Sequence, residues 1–526
     1  MSNAATLRTG LPTKATVAET INRSGRIAVA ILALGTILRL NHYLGDRALW
    51  GDEAMLASNF TGRDLGAMLQ GLATEHQMAP FGFLLLEKFV VDLFGDSGYA
   101  LRLIPLLAGL ATLGLLYLLL RHITDGWTLL FVLFAAAISR PLIYFSSEVK
   151  QYGLDAAVAL GLLLLTWRLL QQWSPARIAL LAGAGAVWLS HPAIFVLAGI
   201  GTTLAVQALH ARAWRRLGQL CVAAVFWLAS FAIAYKVIKD YAPNVMTAMT
   251  QVYWASEFAP FPPRSAADLR WFADHLLGIF AEPGGFKYTV LAALLFFFGV
   301  VEMARRASIW LSLLLAPLGF AIVASALHLY PFTQRFLLFA APALLILVGA
   351  GLAAFHRATW RRAPWMVPVL AGVLFLHPMY WALSEAARAS PYEHENVRAA
   401  LRYVIDHRQA GDVIFVHRTA QANMRFYAPR LGLAESAYRQ GAALPSDWPA
   451  QQRELDSLIG APRAWILFAK RDTRVYAGVE ERFLAYADER GARRATFLAP
   501  GASAYLYDFT VVPPAPDVSR GSLSAR

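Results

Sequence analysis

The sequence predicts an α-helical polytopic membrane protein with about eleven transmembrane helices, followed by a small C-terminal extracytoplasmic α/β domain. Hydrophobic residues make up 57% of the 526 residues and charged residues only 15%, whereas a soluble chain is about half apolar and a quarter charged. Long apolar runs recur along the first three quarters of the chain, and apolar runs shorten from about residue 392. The one cysteine, Cys221, excludes an intrachain disulfide and a cysteine zinc site.

Eleven apolar runs are candidates for membrane-spanning helices, since a helix needs roughly 20 apolar residues to cross a bilayer. They are 26–44, 99–121, 127–146, 151–170, 177–190, 192–210, 217–239, 288–304, 308–328, 335–355 and 364–383. His191-Pro192 interrupts the stretch 177–210, so this stretch forms either a tight pair of helices or one broken helix.

Basic residues predict the orientation of these helices. The formal net charge is +13, and in membrane proteins lysine and arginine concentrate in cytoplasmic loops. With eleven spans, the N-terminal segment and the basic short connections fall on one side, including those at Arg121, Arg168, Arg212, Arg305 and Arg357. We therefore expect a multi-pass protein of the bacterial cytoplasmic (inner) membrane, with a cytoplasmic N-terminus and a periplasmic C-terminal domain.

The predicted domain boundaries follow from these spans. They are a cytoplasmic segment at 1–25, a transmembrane domain at 26–383 with periplasmic loops 45–98 and 240–287, a periplasmic α/β domain at 384–512 and a disordered tail at 513–526. In the first loop, Phe81 to Phe94 is too short to cross and predicts an interfacial amphipathic helix with Glu87, Lys88 and Asp92 on one side. In the tail, the pattern predicts a helix at 397–405, strands at 412–416 and 464–468, a helix at 479–490, and strands near 495–498 and 503–509.

The first cluster of chemically capable residues is Trp50 to Ala54, which contains the adjacent acids Asp52 and Glu53. A carboxylate here can take a proton from a hydroxyl or hold a metal. Alternatively, the two acids only lie at a helix N-terminus, where a negative charge interacts favourably with the helix dipole.

The second cluster is His76-Gln77, which precedes Pro80 at the start of the predicted interfacial helix. The two side chains can project toward a substrate site. A single histidine is also a common local hydrogen-bonding group, so this cluster is a weak signal by itself.

The third cluster lies at the outer end of the fourth span. Glu148, Gln151, Tyr152 and Asp155 have the spacing of one helix face, with Lys150 beside them. An acid about one turn inside an apolar span indicates function. The alternative is a structural polar seam between helices.

The fourth cluster is His328 to Phe336, which contains Arg335 at the outer start of the tenth span. An arginine here opposes the positive-inside trend and can bind a phosphate with two hydrogen bonds. It can equally be a long side chain that reaches from a helix end to the interface.

Taken in order, these segments resemble the GT-C superfamily of integral-membrane glycosyltransferases, in the glycosyltransferase family 39-like branch of protein O-mannosyltransferases, the aminoarabinose transferase of lipid A and RgtA-like enzymes. Trp50 to Ala54 is similar to W-x-D-E-A, and His76 to Lys88 to the H-x-P-P helix. Phe94 to Leu103, Glu148 to Asp155 and Arg335 resemble the later motifs. Met78-Ala79-Pro80 departs from the usual double proline.

The resemblance implies an inverting transfer of a monosaccharide from a polyprenyl-phosphate donor to a lipid, glycan or protein, as in lipopolysaccharide or glycan biosynthesis. Asp52 is then the expected base, and Glu53 positions the base or acceptor. Arg335 and then Lys150 are expected to bind the donor phosphate. His76, Gln77, Glu148, Gln151, Tyr152 and Asp155 are the expected substrate-binding residues. We expect the four clusters to meet in one pocket, and no cofactor to be required, although a divalent metal is an alternative.

Three other functions remain open from the sequence. A transporter or flippase also has many spans, but no repeat is visible and the polar motifs gather at one face. An O-antigen ligase or polymerase also uses lipid-linked sugars, although the acidic first loop favours monosaccharide transfer. A membrane scaffold explains neither Asp155 nor the acidic loop. No phosphate-binding glycine loop and no basic nucleic-acid surface is present in the sequence.

Overall fold

The computed structural model describes residues 14–69, 77–173, 185–241, 254–388, 393–444, 446–469 and 477–511. The chain divides into two compact units. The first unit comprises Met1–Leu44, Met78–Phe89 and Arg102–Arg388, and the second comprises Gly45–Gln77, Val90–Leu101 and Ala389–Arg526. Much of the first loop therefore belongs to the same unit as the C-terminal residues.

The helices up to Ala386 are numbered in chain order. They are α1 (Lys14–Leu44), α2 (Gly51–Ala57), α3 (Leu65–Leu69), α4 (Phe81–Phe94), α5 (Gly98–Leu101), α6 (Leu103–Ile123), α7 (Gly126–Ile138), α8 (Arg140–Tyr144), α9 (Tyr152–Gln171), α10 (Ala193–His210), α11 (Trp214–Tyr241), α12 (Ala266–Ala281), α13 (Thr289–Arg306), α14 (Ser308–Ala326), α15 (Ala341–Thr359) and α16 (Met366–Ala386). Short 3₁₀ turns lie at Ala255–Glu257 and Gln334–Ala340.

Within the described ranges, eight helical segments are long and apolar enough to cross a membrane. They are Gly25–Leu44, Leu103–Ile123, Tyr152–Gln171, Ala193–His210, Trp214–Asp240, Ser308–Ala326, Gln334–Thr359 and Met366–Ala386. The chain is therefore a multi-pass helical protein, and each of these segments matches a predicted run.

The other three predicted runs are not among the eight segments found in the described residues. The run 127–146 is divided at Ser139, because α7 has 13 residues and Pro141 lies in the first turn of α8. Most of the run 177–190 lies outside the described residues. Helix α13 has 18 residues and carries three charged ones near its end, Glu302, Arg305 and Arg306.

Close backbone contact joins α13 and α15 in the first unit. A Cβ atom added to Gly299 would lie 1.9 Å from the Leu347 carbonyl oxygen. A Cβ atom added to Gly351 would lie 1.8 Å from the Leu295 carbonyl oxygen. Only glycine allows the two backbones to approach so closely, as small residues do at interfaces between membrane helices.

A buried arginine joins α1 to the end of α7. The Arg39 guanidinium donates to the carbonyl oxygens of Ala136 at 3.1 Å, Ala137 at 3.3 Å and Gly35 at 3.0 Å. The last carbonyls of a helix have no partner within the helix, and a cation favours that negative end. Arg39 therefore has a structural role in the first unit.

The C-terminal part of the second unit contains a five-stranded mixed sheet. Its elements are α17 (Val397–His407), β1 (Val413–Val416), α18 (Gln421–Arg430), β2 (Arg439–Gln440), α19 (Trp448–Asp456), β3 (Ala464–Ala469), α20 (Val479–Asp488), β4 (Ala492–Ala499) and β5 (Ala502–Asp508). The strand order is β2-β1-β3-β5-β4. β1 is parallel to β2 and β3, whereas β5 is antiparallel to β3 and β4.

The predicted elements of this small α/β domain are confirmed. The strands at 412–416, 464–468, 495–498 and 503–509 correspond to β1, β3, β4 and β5, and the two predicted helices to α17 and α20. The sequence did not predict β2, α18 or α19. The predicted disordered tail, 513–526, lies outside the described residues.

Candidate functional site

The two adjacent acids of the first cluster occupy different environments in the second unit. Glu53 is fully buried and pairs with Arg47 through two hydrogen bonds, Nη1 to Oε2 at 2.9 Å and Nη2 to Oε1 at 3.0 Å. It also accepts a hydrogen bond from the Trp50 backbone N–H at 3.3 Å. These contacts tie Glu53 to the loop that enters α2.

Asp52 is only half-buried, at the first turn of the same helix. Its Oδ1 accepts a hydrogen bond from Gln77 Nε2 at 2.9 Å, and Gln77 is itself buried. The structure thus brings together one residue from each of the first two clusters. His76, the other residue of the second cluster, lies outside the described residues.

Residues near the C-terminal end of the chain hold the loop before α2. The Leu49 N–H donates to the Tyr427 hydroxyl oxygen at 2.6 Å, and Asn423 Nδ2 donates to the Leu49 carbonyl at 2.8 Å. The Gly51 N–H donates to Glu395 Oε2 at 2.7 Å. We call these contacts, made by Glu395, Asn423 and Tyr427, the loop clamp. The sequence offered no signal for it, because its partners are more than 340 residues apart.

The third cluster, in the first unit, differs from the predicted helix face. Helix α9 begins at Tyr152, and Glu148 and Gln151 lie in the turn before it. The expectation that they share a helix face with Asp155 is therefore wrong. The turn forms because Ser146 Oγ donates to the Ile143 carbonyl at 2.6 Å, and because Gly153 lets the chain pass close to its own backbone.

The turn nevertheless places its polar residues inside the protein. Glu148, Lys150 and Gln151 are all buried, and Gln151 Nε2 donates to the Met78 carbonyl at 3.3 Å. Helix α4, which follows Met78, has the predicted bounds, but Glu87 is buried rather than on a polar face. Burial raises the pKa of Glu87 well above its usual range.

Asp155 lies in the first turn of α9 and is buried. The Ser190 hydroxyl lies beside its carboxylate. Burial raises the pKa of Tyr330 well above its usual range, and the nearby charges of Asp155 and Tyr152 raise it further. The acid of the third cluster and the tyrosine of the fourth therefore interact electrostatically.

Arg335 is surrounded by aromatic rings. Its guanidinium carbon lies 5.4 Å from the ring centroid of Tyr152, 5.4 Å from that of Trp254 and 5.8 Å from that of Phe336. Distances below about 6 Å are those of favourable cation–π contacts. The predicted residues Tyr152 and Arg335 thus meet, and Trp254 completes an aromatic cage that the sequence did not predict.

A half-buried acid, Glu282, interacts electrostatically with Arg335 and with a second arginine, Arg140. Burial raises the pKa of Glu282, and the positive charges of Arg140 and Arg335 act in the opposite direction. A Cβ atom on Gly285 would lie 2.8 Å from Ser139 Oγ, so the chain after α12 packs against the start of α8. Glu282 therefore experiences the positive charge of both arginines.

An ion pair supports the segment before Arg335. His275 Nε2 lies 3.2 Å from Glu257 Oε2, and the His275 ring stacks on Trp271 at 3.8 Å. The Phe332 N–H donates to the Glu257 carbonyl at 2.9 Å. The pair joins two parts of the loop 240–287, and the Phe332 hydrogen bond joins this loop to the chain that leads to Arg335.

No group of three histidine, cysteine or acidic side chains that could hold a metal ion occurs in the part of the chain that the structure describes. Metal independence stays a prediction, since His76 lies outside that part.

No protein-family model matches the sequence, and no curated protein matches it. Among solved structures, the chain is similar to ArnT from Cupriavidus metallidurans bound to undecaprenyl phosphate, with a TM-score of 0.54 and 15% identity over 92% of this chain and 99% of ArnT. The apo state of ArnT gives a TM-score of 0.53 and 14% identity over 92% and 98%. ArnT is a glycosyltransferase of the GT-C fold. The chain therefore has the GT-C fold, as its sequence motifs indicated.

Proposed function

We propose that the protein is an inverting glycosyltransferase that moves a monosaccharide from a polyprenyl-phosphate donor to an acceptor on the periplasmic side of the inner membrane. The eight apolar helices provide a membrane setting for a lipid-carried donor. Nucleotide sugars are absent outside the cytoplasmic membrane, so a lipid-linked sugar suits the reaction. The undecaprenyl phosphate bound to ArnT supports this class of donor.

The surroundings of Arg335 carry this proposal. Its cation–π contacts with Tyr152 and Trp254 orient a planar guanidinium, and such a group can form two parallel hydrogen bonds with a phosphate. Arg140 interacts electrostatically with the same half-buried acid, Glu282. We assign Arg335 to the donor phosphate, with Lys150 as the second cation, because positive charge stabilises the phosphate that departs.

We assign the general base to Asp52 rather than to Glu53. The Glu53 carboxylate is engaged by Arg47 and the Trp50 backbone, so its role is to position α2. Asp52 is half-buried and oriented by the Gln77 amide. A carboxylate held in this way can accept a proton from an acceptor hydroxyl.

The proposed reaction is a single displacement. The acceptor oxygen bonds to the anomeric carbon while its proton passes to Asp52. The bond from that carbon to the phosphate oxygen breaks, and the polyprenyl phosphate leaves with the electron pair at Arg335. The remaining predicted residues are assigned to binding the sugar and acceptor, and they are His76, Gln77, Glu148, Gln151, Tyr152 and Asp155.

A donor screen tests this function. The purified full-length protein is incubated with a panel of radiolabelled polyprenyl-phosphate sugars and a membrane extract as acceptor, with and without EDTA. We expect one sugar to be transferred, and EDTA to leave the rate unchanged. No transfer from any donor, combined with lipid flipping or solute uptake in vesicles, would favour a transporter. If EDTA abolishes transfer and one divalent ion restores it, the prediction of metal independence is wrong.

A further inference from the structure

A buried histidine, His42, joins three separate parts of the first unit. It lies near the end of α1. Its Nδ1 atom lies 2.5 Å from the Ser147 hydroxyl oxygen, within hydrogen-bond distance. Its Nε2 atom lies 4.0 Å from Oε1 of Glu385, near the end of α16. One ring nitrogen therefore faces a hydroxyl and the other a carboxylate, and none of these three side chains has a role in the proposed reaction.

The contacts around the His42 ring restrict its orientation. Glu385 is buried, and its Oε2 accepts a hydrogen bond from Arg388 Nη1 at 2.8 Å. The His42 ring also meets the Tyr144 ring edge-on, with the centroids 5.9 Å apart. A side chain that is held on several sides keeps one rotamer. The imidazole therefore presents Nδ1 to Ser147 in a defined direction.

Ser147 belongs to the turn that carries Glu148 and Lys150. This turn precedes α9, which begins only at Tyr152. The Ser147 N–H donates to the Tyr144 carbonyl at 3.1 Å, and the Lys150 N–H donates to the Glu148 carbonyl at 2.7 Å. A turn of this kind lacks the regular hydrogen bonds of a helix, so its conformation depends on contacts such as the one between Ser147 and His42.

The arrangement of serine, histidine and acid is not that of a nucleophile. A catalytic serine must reach the reacting carbon of its substrate while the histidine takes its proton. Ser147 is completely buried, and so are His42 and Glu385. The contact between Ser147 and His42 is therefore suited to holding the turn in place.

We propose that His42 is a positioning residue for the donor phosphate, because its bond to Ser147 holds the turn that directs Lys150 toward that phosphate. This inference rests on the proposed function and adds a residue that acts through Lys150 without touching the substrate. Lys150 is buried and follows Ser147 by three residues. A lysine ammonium is a point charge on a flexible stem, so its placement depends on the backbone that carries it.

Two substitutions of His42 separate its two contacts. An asparagine amide reaches about as far as Nδ1 of the replaced ring, and a glutamine amide about as far as Nε2. His42→Asn should therefore keep the bond to Ser147, whereas His42→Gln should lose it. Ser147→Ala removes the same bond from the other side. Ser230→Ala is the matched control, because the Ser230 hydroxyl also bonds a ring nitrogen in the first unit, Trp188 Nε1 at 2.9 Å.

Binding is measured by native mass spectrometry of the full chain in phosphatidylcholine nanodiscs. The probes are undecaprenyl phosphate and undecaprenol, which has the same chain without the phosphate. His42→Gln and Ser147→Ala should each weaken undecaprenyl phosphate binding about three- to tenfold, the range for one lost hydrogen bond, and should leave undecaprenol binding unchanged. His42→Asn and Ser230→Ala should bind both probes as the wild type does.

A double-mutant comparison with Lys150 distinguishes positioning from a general loss of structure. Lys150→Gln should itself weaken undecaprenyl phosphate binding, and adding His42→Gln or Ser147→Ala should then cause no further loss. Equal losses with and without Lys150, an equal loss of undecaprenol, or unchanged binding by Lys150→Gln would overturn the proposal. Equal weakening by His42→Asn and His42→Gln would also overturn it. If His42→Gln does not fold, Ser147→Ala supplies the same comparison.

The outcomes separate this inference from the proposed function. The expected coupling to Lys150, in a wild-type protein that transfers no sugar from any donor, would reject the transferase and keep His42 as a positioning residue for a lipid phosphate. Sugar transfer by a protein in which His42 and Lys150 act independently would reject the role of His42 and keep the transferase.

Discussion

Arg47 and Glu53 form a completely buried ion pair with two hydrogen bonds, at 2.9 and 3.0 Å, where the chain enters α2. The pair distinguishes two acids that the sequence places side by side. Glu53 is neutralised within the protein, whereas Asp52 is half-buried one residue before it. The two carboxylates should therefore respond differently to substitution.

Glu53→Gln should destabilise the second unit. Removal of one partner leaves Arg47 charged and buried, which costs about 3–5 kcal/mol in comparable pairs. Thermal unfolding in detergent measures the effect, with Asp52→Asn as the neighbouring control that should melt near wild type. The double variant Arg47→Met with Glu53→Leu should recover most of the loss. If Glu53→Gln melts at the wild-type temperature, the pair contributes little to stability.

Tyr427→Phe tests the loop clamp. This substitution removes the acceptor of the Leu49 N–H, and an unsatisfied buried donor costs about 1–3 kcal/mol. We expect a lower melting temperature and slower sugar transfer, because α2 carries the proposed base, with donor binding unchanged. Tyr486→Phe is the matched control, since the Tyr486 hydroxyl bonds Asp456 at an exposed site. Equal behaviour of the two variants would remove the clamp from any role in transfer.

Arg335→Ala should weaken donor binding about 10- to 100-fold, the range for a hydrogen bond to a charged group. Arg335→Lys should recover only part of the affinity, because an ammonium lacks the planar fork and stacks less well in the aromatic cage. Arg270→Ala, at an exposed ion pair, is the control. Titration with undecaprenyl phosphate gives the comparison, and unchanged affinity in Arg335→Ala would exclude this residue from the phosphate site.

The ion pair between Glu257 and His275 should make stability depend on pH. The hydrogen bond from His275 lowers the pKa of Glu257 from 4.5, against the effect of burial. Burial acts to lower the pKa of His275, but its hydrogen bonds to Glu257 and the Trp271 carbonyl raise it above 6.5. The Glu257 contribution is therefore present above pH 4.5 and is lost as the pH falls through its folded pKa. The His275 contribution is present below pH 6.5 and is lost as the pH rises through its folded pKa.

The pair should thus stabilise the first unit most between about pH 4.5 and 6.5, by no more than about 1 kcal/mol. Melting curves of wild type and His275→Gln should differ most in this window and converge above it. His407→Gln is the control, because His407 also bonds the carbonyl four residues earlier and stacks on an aromatic ring. A difference that grows toward pH 9 would contradict the assigned directions.

The fold could be predicted largely from local patterns. An apolar run long enough to cross a bilayer must satisfy its backbone hydrogen bonds within the segment, which an α-helix does. The helices can therefore be predicted from composition. The buried strand Ala464–Ala469 is likewise a continuous apolar run. The helix predicted from periodicity at Glu148 is wrong. The Ser146 hydroxyl bonds the Ile143 carbonyl there, and the helix starts only at Tyr152.

The candidate site could be predicted only in part. Residue types identified Asp52, Asp155 and Arg335 as unusual, because charge near an apolar span is costly. The environment of each residue depends on partners that tertiary folding brings to it. Arg47 neutralises Glu53 only because the loop folds back, and Tyr427 reaches Leu49 across most of the chain. No local spacing encodes such contacts.

Asp52→Asn gives the most direct test of the proposed mechanism. Sugar transfer, undecaprenyl phosphate binding and melting temperature are measured on the same purified protein. We expect transfer to fall about 10²- to 10⁴-fold, the usual contribution of a general base, while donor binding and melting stay at wild-type values. Wild-type transfer by Asp52→Asn would contradict the assignment of Asp52 as the base.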